Sequence, residues 1–290
     1  MNEFEIIDRI TQILGRTARA QSVLVGPGDD AAVVSVPPGF ELALTTDTLV
    51  AGRHFPTDAP GDLVGCRAMG VNLSDLAAMG ASPSYCVVSL TIPQADIPWI
   101  EAYARGIAEY AKRYGASIVG GNIARGPLAV SVTAHGLLPA GERLLRSGAQ
   151  AGDMVFVSGT LGAGHAARLA NDPRFYRIEP RIDLGQELRR CATAAIDISD
   201  GLLADLGHVC RASGVGARLT LEAMPVAKGI EPETALTCGD DYELLFTARE
   251  RPDVDEPITA IGKVVEGEGI TVLDLGGVVA IDKTEGYRHF

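Results

Sequence analysis

No stretch of this chain approaches the ~18 consecutive apolar residues that a membrane-spanning helix needs. The opening Met1-Asn2-Glu3-Phe4-Glu5 also carries acids where a secretory leader carries bases. Both absences point to a cytoplasmic protein without a membrane partner. Cysteine is sparse: Cys66, Cys86, Cys191, Cys210 and Cys238 are odd in number, widely spaced and form no C-x-x-C. That pattern indicates neither a disulfide framework nor a zinc site, and the five read as reduced, mostly buried small apolar residues. Bases are outnumbered, 25 against 37 acids, for a formal net charge of −12. Such a surface repels phosphate backbones, which disfavours nucleic acid and anionic membranes as partners. Absent too are the G-x-x-x-x-G-K-[ST] of P-loop enzymes and the strings of the protein kinases. An acidic enzyme can still bind a polyphosphate if divalent cations lie between the two negative partners.

What is present is a globular composition, and 290 residues are enough for one large core or two ordinary ones. Phe4, Ile7, Ile10, Ile13 and Leu14 recur at helical spacing, so the chain opens on a short amphipathic helix. Residues 23–25, 31–36 and 40–46 read as strands, 63–79 as a helix, 85–92 as a strand and 97–114 as a helix, with strands at 117–119 and 129–138. Pro139 to Asp153, with three glycines, a proline and several charges, is the expected junction between an N-terminal domain at 1–138 and a C-terminal one at 154–290. In the second half, strands are expected at 154–158, 194–198, 217–221, 242–247, 258–265 and 270–273, and helices at 163–170, 182–191 and 202–212. Strands and helices mix without a regular βαβ period, so the fold class is α+β in two domains, each a mixed β-sheet packed with helices.

The acids are not spread evenly. Gly26-Pro27-Gly28-Asp29-Asp30 sets two carboxylates in a glycine loop before a strand, a pattern that taken alone is a turn. Thr45-Thr46-Asp47-Thr48 follows the apolar alternation of Leu42 and Leu44. Strand alternation sends Thr45 and Asp47 the same way, so they offer a hydroxyl and a carboxylate to one hard cation, or simply end a strand. Asp75 stands amid apolar residues on the 63–79 helix with Asn72 one turn earlier. A buried carboxylate must find a cation, a hydrogen-bond shell or a proton, so Asp75 is either a ligand or a satisfied core acid. Asp197, Ser199 and Asp200 gather where a strand feeds a helix, a place suited to capping, to a phosphate and to the metal that accompanies it. Cys238-Gly239-Asp240-Asp241-Tyr242-Glu243 is a second Gly-acid turn running into an apolar strand. Hard oxygen donors without matching His or Cys point to magnesium rather than zinc, and several such ions suit a bound triphosphate. Gly159-Thr160-Leu161-Gly162 is only weakly like a phosphate loop and reads as a strand-to-helix turn.

GPGDDAAVV, TTDTLVAGRHF, GCRAMGVNLSDLAAMGASP, ISDGLLADLGH, GDDYELLFT and the terminal GYRHF stand in this order along nearly the whole chain. Together they closely resemble the thiamine-monophosphate kinase family. That family belongs to the ATP-binding superfamily that also holds aminoimidazole ribonucleotide synthetase and selenophosphate synthetase. The resemblance implies metal ligands at Asp30, Thr45, Thr46, Asp47, Asp75, Asp197 and Asp200. It implies ATP contacts at Gly121, Arg146 and Ser199, and thiamine-phosphate contacts at His54, Asp240 and Tyr287. It further implies a homodimer built by the N-terminal sheets, with ATP and magnesium in the cleft between domains.

Two positions depart from the family pattern. Gly120-Gly121-Asn122 stands where Gly-Gly-Asp is usual, so Asn122 is the expected metal and ATP contact with an amide in place of a carboxylate. Asp240 stands where Glu is common, a shorter reach to substrate. The chain is also short for the family, which implies that a peripheral C-terminal piece is missing. The implied reaction moves the γ-phosphoryl group of ATP onto thiamine monophosphate, giving thiamine diphosphate, with no covalent nucleophile and no general base. The rivals are a sister ATP-dependent enzyme acting on another small acceptor, and an impaired nucleotide-binding regulatory protein, for which Asn122 is the sequence support.

Overall fold

The computed structural model describes residues 3–18, 22–27 and 30–279. The chain divides into two compact units: one of Met1–Leu76, Ser82–Gly141 and Tyr176–Ile178, the other of Ala77–Ala81, Glu142–Phe175 and Glu179–Phe290. Each carries its own sheet, and the architecture is α+β with mixed sheets packed with helices.

In the first unit, α1 (Glu3–Leu14) precedes the two-stranded pair β1 (Val23–Val25) and β2 (Val33–Val34). Next come β3 (Phe40–Val50), α2 (Gly61–Ala78), β4 (Ser82–Ile92), α3 (Ile97–Tyr114), β5 (Ser117–Arg125) and β6 (Ala129–Pro139). The sheet order is β3-β6-β4-β5; β4 and β5 are parallel across α3, and the other pairs are antiparallel. α3 is set by its ends. Asp96 caps it, accepting the Trp99 N–H at 3.2 Å, Pro98 sits in the first turn, and Gly115 closes it at φ 71°. Its apolar stripe, Ile100, Tyr103, Ala104, Ile107 and Tyr110, is buried. α2 is apolar nearly all round and is buried to match, with Val64, Cys66, Met69 and Leu73 at 0% exposure. The two helices meet backbone to backbone, since a Cβ on Gly106 would lie 2.0 Å from the carbonyl oxygen of Asp62. Val130, Val132, Ala134 and Leu138 alternate into the core from β6.

The second unit contains β7 (Met154–Ser158), α4 (Ala163–Leu169), α5 (Ile182–Leu188), β8 (Ala194–Asp197), α6 (Leu202–Ser213) and β9 (Gly216–Thr220). It continues with α7 (Pro232–Ala235), β10 (Leu244–Ala248), β11 (Ile258–Val265), β12 (Ile270–Asp274) and β13 (Gly277–Val278). Its seven-stranded sheet runs β13-β12-β9-β11-β7-β10-β8, with β12 and β9 the parallel pair. The rings of Phe156 and Phe246, on neighbouring β7 and β10, stack at 5.3 Å. Leu202, Leu206 and Val209 bury one side of α6 among Val155, Ile196 and Leu245.

Several sequence boundaries shift for identifiable reasons. Of 31–36 only Val33 and Val34 pair, the partner β1 being three residues long. β3 runs on to Val50 because β6 partners all eleven of its residues, so 45–48 lie inside a strand instead of ending it. The strand expected from 242 starts at Leu244, since Tyr242 is held at φ 52° in the left-handed region, outside strand geometry. The helix expected to reach Cys191 ends at Leu188. Of the five cysteines, Cys66, Cys86 and Cys210 are buried, Cys238 is half-buried and Cys191 is exposed. No described helix is long and apolar enough to cross a membrane.

Candidate functional site

In the first unit β3 lies against α2, and the contact is polar. Thr45 Oγ1 donates to Asp75 Oδ2 at 2.5 Å. Asn72, 1% exposed, accepts the Asp47 N–H on Oδ1 at 3.0 Å and donates through Nδ2 to the Ala68 carbonyl at 2.9 Å. Asn72 is therefore a clamp between helix and strand that satisfies both ends of its own amide. Asp75 is half-buried on a helix otherwise almost wholly interior, and Asp47 is exposed. The structure thus brings together Thr45, Asp47, Asn72 and Asp75. Thr46 alternates to the other face of β3, its hydroxyl bonded to Val132 O and Thr133 Oγ1, both at 3.1 Å. His54 closes the turn after β3: its Nδ1 accepts the Val50 N–H at 2.9 Å, which makes Nε2 the protonated nitrogen of the neutral ring.

Beside this sheet is a cavity of about 820 Å³ walled by α1, α3, β4 and β5, whose lining includes Asp30, Gly121, Asn122, Tyr103, Ile107 and Ile10. Gly121 presents bare backbone to it because β4 is too close for a side chain: a Cβ there would lie 2.1 Å from Val88 O. The Tyr103 hydroxyl, fully buried, has no hydrogen-bond partner among the described residues, and burial pushes its phenol well above the usual range. Tyr103 falls on the apolar stripe of α3, so its spacing reads as core, and sequence reasoning passed over it.

In the second unit two Gly-acid loops are laced together. Ser199 O accepts the Asp240 N–H at 2.9 Å, Ile198 O accepts the Tyr242 N–H at 2.8 Å, and Glu243 O accepts the Ile198 N–H at 2.8 Å. Gly239 sits where a Cβ would be 2.1 Å from Ser199 O, so nothing larger fits between the loops. Asp197, 4% exposed, ends β8 opposite Leu244. Asp240 holds φ 71°, and its Oδ1 accepts from the Tyr242 hydroxyl at 3.3 Å. Arg146 is exposed; its carbonyl accepts from Ser213 Oγ at 3.3 Å, and Ser213 Oγ in turn accepts the N–H groups of Gly148 and Ala149 at 3.1 and 3.2 Å.

Asp205 and Arg181 were not singled out from the sequence, and Asp241 and Glu243 were read only as members of a Gly-acid turn. Asp205 Oδ2 accepts the N–H groups of Ser199, Asp200 and Gly201, each at 3.1 Å. Burial, and then the charge of Asp200, push its carboxyl up to about 7 against the pull of those donors. Asp241 accepts the N–H groups of Gly162 and Gly164 at 2.7 and 3.1 Å, and burial pushes it likewise to about 7. Gly159 to Gly164 is accordingly a strand-to-helix turn whose free N–H groups are taken by a side chain, in keeping with the sequence reading. Glu243, 8% exposed, accepts from Ser158 Oγ at 2.5 Å and from Arg181 Nε and Nη2 at 2.7 and 2.6 Å. Among the described residues, no three His, Cys, Asp or Glu side chains form a ready-made cation site. Tyr287 lies outside the described residues.

Residues 28–138 match the family model for the AIR synthase related protein N-terminal domain, and residues 150–274 that for its C-terminal domain. The thiamine-monophosphate kinase of Salmonella typhimurium (strain LT2) is 41% identical over 322 aligned positions, 99% of this chain and 98% of that protein. The chain belongs to the thiamine-monophosphate kinase family. Among solved structures, thiamine-monophosphate kinase from Stenotrophomonas maltophilia K279a aligns with TM-score 0.84 at 38% identity, covering 94% of this chain and 96% of that one. The structure of AaThiL complexed with AMPPCP and TMP aligns with TM-score 0.78 at 34% identity, covering 99% and 97%. Thiamine-monophosphate kinases are transferases with a phosphate group as acceptor. The alignment to the Salmonella kinase has more positions than this chain has residues and reaches 98% of that kinase. That alignment therefore carries gaps within this chain.

Proposed function

We propose that this chain phosphorylates thiamine monophosphate with ATP, giving thiamine diphosphate by direct in-line transfer. The observation that carries the reading is its full-length likeness to a kinase complexed with AMPPCP and TMP. The acceptor oxygen belongs to a phosphate monoester whose second pKa is ~6, so it is ionised near neutral pH and no general base is needed. What remains for the protein is positioning and electrostatics. Gly121, Asn122, Arg146 and Ser199 contact ATP, and His54, Asp240 and Tyr287 hold thiamine monophosphate.

Thr45 Oγ1, the Asn122 amide and the carboxylates of Asp30, Asp47, Asp75, Asp197 and Asp200 are hard oxygen donors, whose chemistry fits magnesium and not zinc. Magnesium bound by these residues would neutralise and orient the polyphosphate. Leu44, Val50 and Val87, at 63%, 38% and 36% exposure on the first sheet, support the homodimer. The kinase works in the cytoplasm.

A coupled ADP-release assay with thiamine monophosphate and magnesium tests the activity: turnover is expected, and silence with that acceptor would reject it. Direct transfer also predicts that no label from [γ-32P]ATP stays covalently on the protein during turnover, so a labelled protein band would overturn it. Asn122→Asp is expected to lower the magnesium concentration for half-maximal rate about tenfold, a charged oxygen being the stronger partner. An unchanged or raised midpoint in a magnesium titration would remove residue 122 from the ligand set.

A further inference from the structure

Asp205 belongs to none of the ligand or contact positions assigned above, yet it makes the densest set of hydrogen bonds around the Ser199–Gly201 loop. It is 3% exposed in the first turn of α6 and faces back over the loop that leads into the helix. Three successive N–H groups, of Ser199, Asp200 and Gly201, end on one oxygen, Oδ2, each at 3.1 Å. Backbone N–H groups that converge in this way form a small anion-binding concavity. Here the protein's own carboxylate fills it. Because peptide planes are rigid, fixing three consecutive N–H vectors fixes where the side chains of Ser199 and Asp200 leave the chain.

The loop also needs holding. Gly201 has φ 121° and ψ 148°, a conformation almost reserved to glycine, and a Cβ there would lie 2.7 Å from Thr237 O. α6 has no side-chain cap at Gly201 itself. Asp205 reaches back from inside the helix to the N–H groups that precede it, and through Ser199 O the same geometry reaches the Asp240 N–H at 2.9 Å.

We propose that Asp205 is the positioning residue of the nucleotide loop: one carboxylate oxygen, gripping three consecutive N–H groups, sets Ser199 for the ATP phosphates and Asp200 for the magnesium that accompanies them. The proposal rests on the reading above in which Ser199 meets the ATP phosphates and Asp200 holds magnesium. It differs from a purely structural cap in what it does to binding and turnover. Since all three N–H groups use a single oxygen, Asp205→Asn can keep the grip through its carbonyl, whereas Asp205→Ala abolishes it. Misplacement of about 1 Å at reacting groups costs about a hundredfold in rate.

The test measures AMPPCP binding by calorimetry in magnesium buffer, kcat and both KM values, and hydrogen exchange at residues 199–201. For Asp205→Ala, kcat is expected to fall about a hundredfold and the AMPPCP dissociation constant to rise about tenfold, with exchange at 199–201 accelerated. Asp205→Asn is expected to stay within about threefold of the parent in each, a rescue that a charge-dependent role would not give. If Asp205→Ala fails to fold, Asp205→Ser replaces it, a hydroxyl too short to serve three donors. Loss of thermal stability with binding and kcat retained would overturn the proposal, as would an Asn variant as impaired as Ala. Ser199→Ala and Asp200→Asn go through the same assays. If both leave AMPPCP binding and turnover unchanged, the nucleotide assignment of the loop falls and the proposal with it. If they impair both while Asp205→Ala does not, the proposal alone falls.

Discussion

Asp75→Ala and Asp47→Ala are each expected to lower turnover by about a thousandfold or more, the scale of removing a preorganised electrostatic partner from a transferring phosphoryl group. The same substitutions should leave the fold standing, and the sign of the stability change carries information. Asp75 is a half-buried acid on a helix whose neighbours are at or near zero exposure, so folding bears the cost of desolvating it. Thr45 Oγ1 donates to it at 2.5 Å. Asp75→Ala should therefore be neutral to stabilising in a thermal melt without ligands, the mark of a residue kept for function at the expense of stability. Asp47 is exposed, and its loss should move stability by less than about 0.5 kcal/mol. Asn72→Ala makes the contrast. It strands the Asp47 N–H and should cost about 1–3 kcal/mol, with a milder effect on turnover. Near-normal turnover in both aspartate variants, measured by ADP release, would remove the metal argument.

The elements that could be read from the sequence are those in which local rules and tertiary structure agree. α3 runs over the residues expected because its cap, its first-turn proline and its terminal glycine all mark the same ends. β7 and β11 likewise match, as short β-branched runs between turn residues. Misread boundaries are those set by a partner distant in sequence. β3 extends to Val50 because β6 is long enough to pair with all of it, and β10 starts late because its entry residues are left-handed. The site divides along the same line. Thr45, Asp47 and Asp75 were legible as acids and hydroxyls out of place on apolar elements; the structure bonds Thr45 directly to Asp75 and ties the Asp47 backbone to the same helix through Asn72. Asp205 shows the same signal, an acid on the apolar face of α6, but its partners are backbone N–H groups, which leave no trace in side-chain spacing. Tyr103 could not have been found, because a cavity is a property of packed elements and not of any one of them.

Arg181→Ala is expected to destabilise the second unit by about 3 kcal/mol or more, the cost of leaving one member of a buried ion pair behind. Arg181 meets Glu243 with two parallel N–H donors at 2.7 and 2.6 Å, the planar geometry in which a guanidinium holds a carboxylate best. Glu243 lifts the Arg181 guanidinium well above its usual range. The two partners are not equally dependent. The Glu243 side chain is 10% exposed, and without Arg181 it keeps the Ser158 hydroxyl. The Arg181 side chain is 25% exposed and has Glu256 at 3.4 Å as a second acid. Glu243→Gln, which preserves shape and leaves Arg181 a charged neighbour, should therefore cost clearly less, about 1–2 kcal/mol. A paired change, Arg181→Met with Glu243→Leu, should recover part of the single-mutant loss, since apolar packing can replace a buried ion pair. Function follows the same chain of contacts. The Glu243 carbonyl accepts from Ile198 and the Ser199 carbonyl accepts from Asp240, so loosening Glu243 frees the loop that carries Asp240. KM for thiamine monophosphate should rise several-fold in Arg181→Ala, with KM for ATP less affected. Urea unfolding of the single and double variants decides the energetics. An Arg181→Ala cost below about 1 kcal/mol, or one smaller than that of Glu243→Gln, would show that the pair is a surface contact and not the pin of this loop.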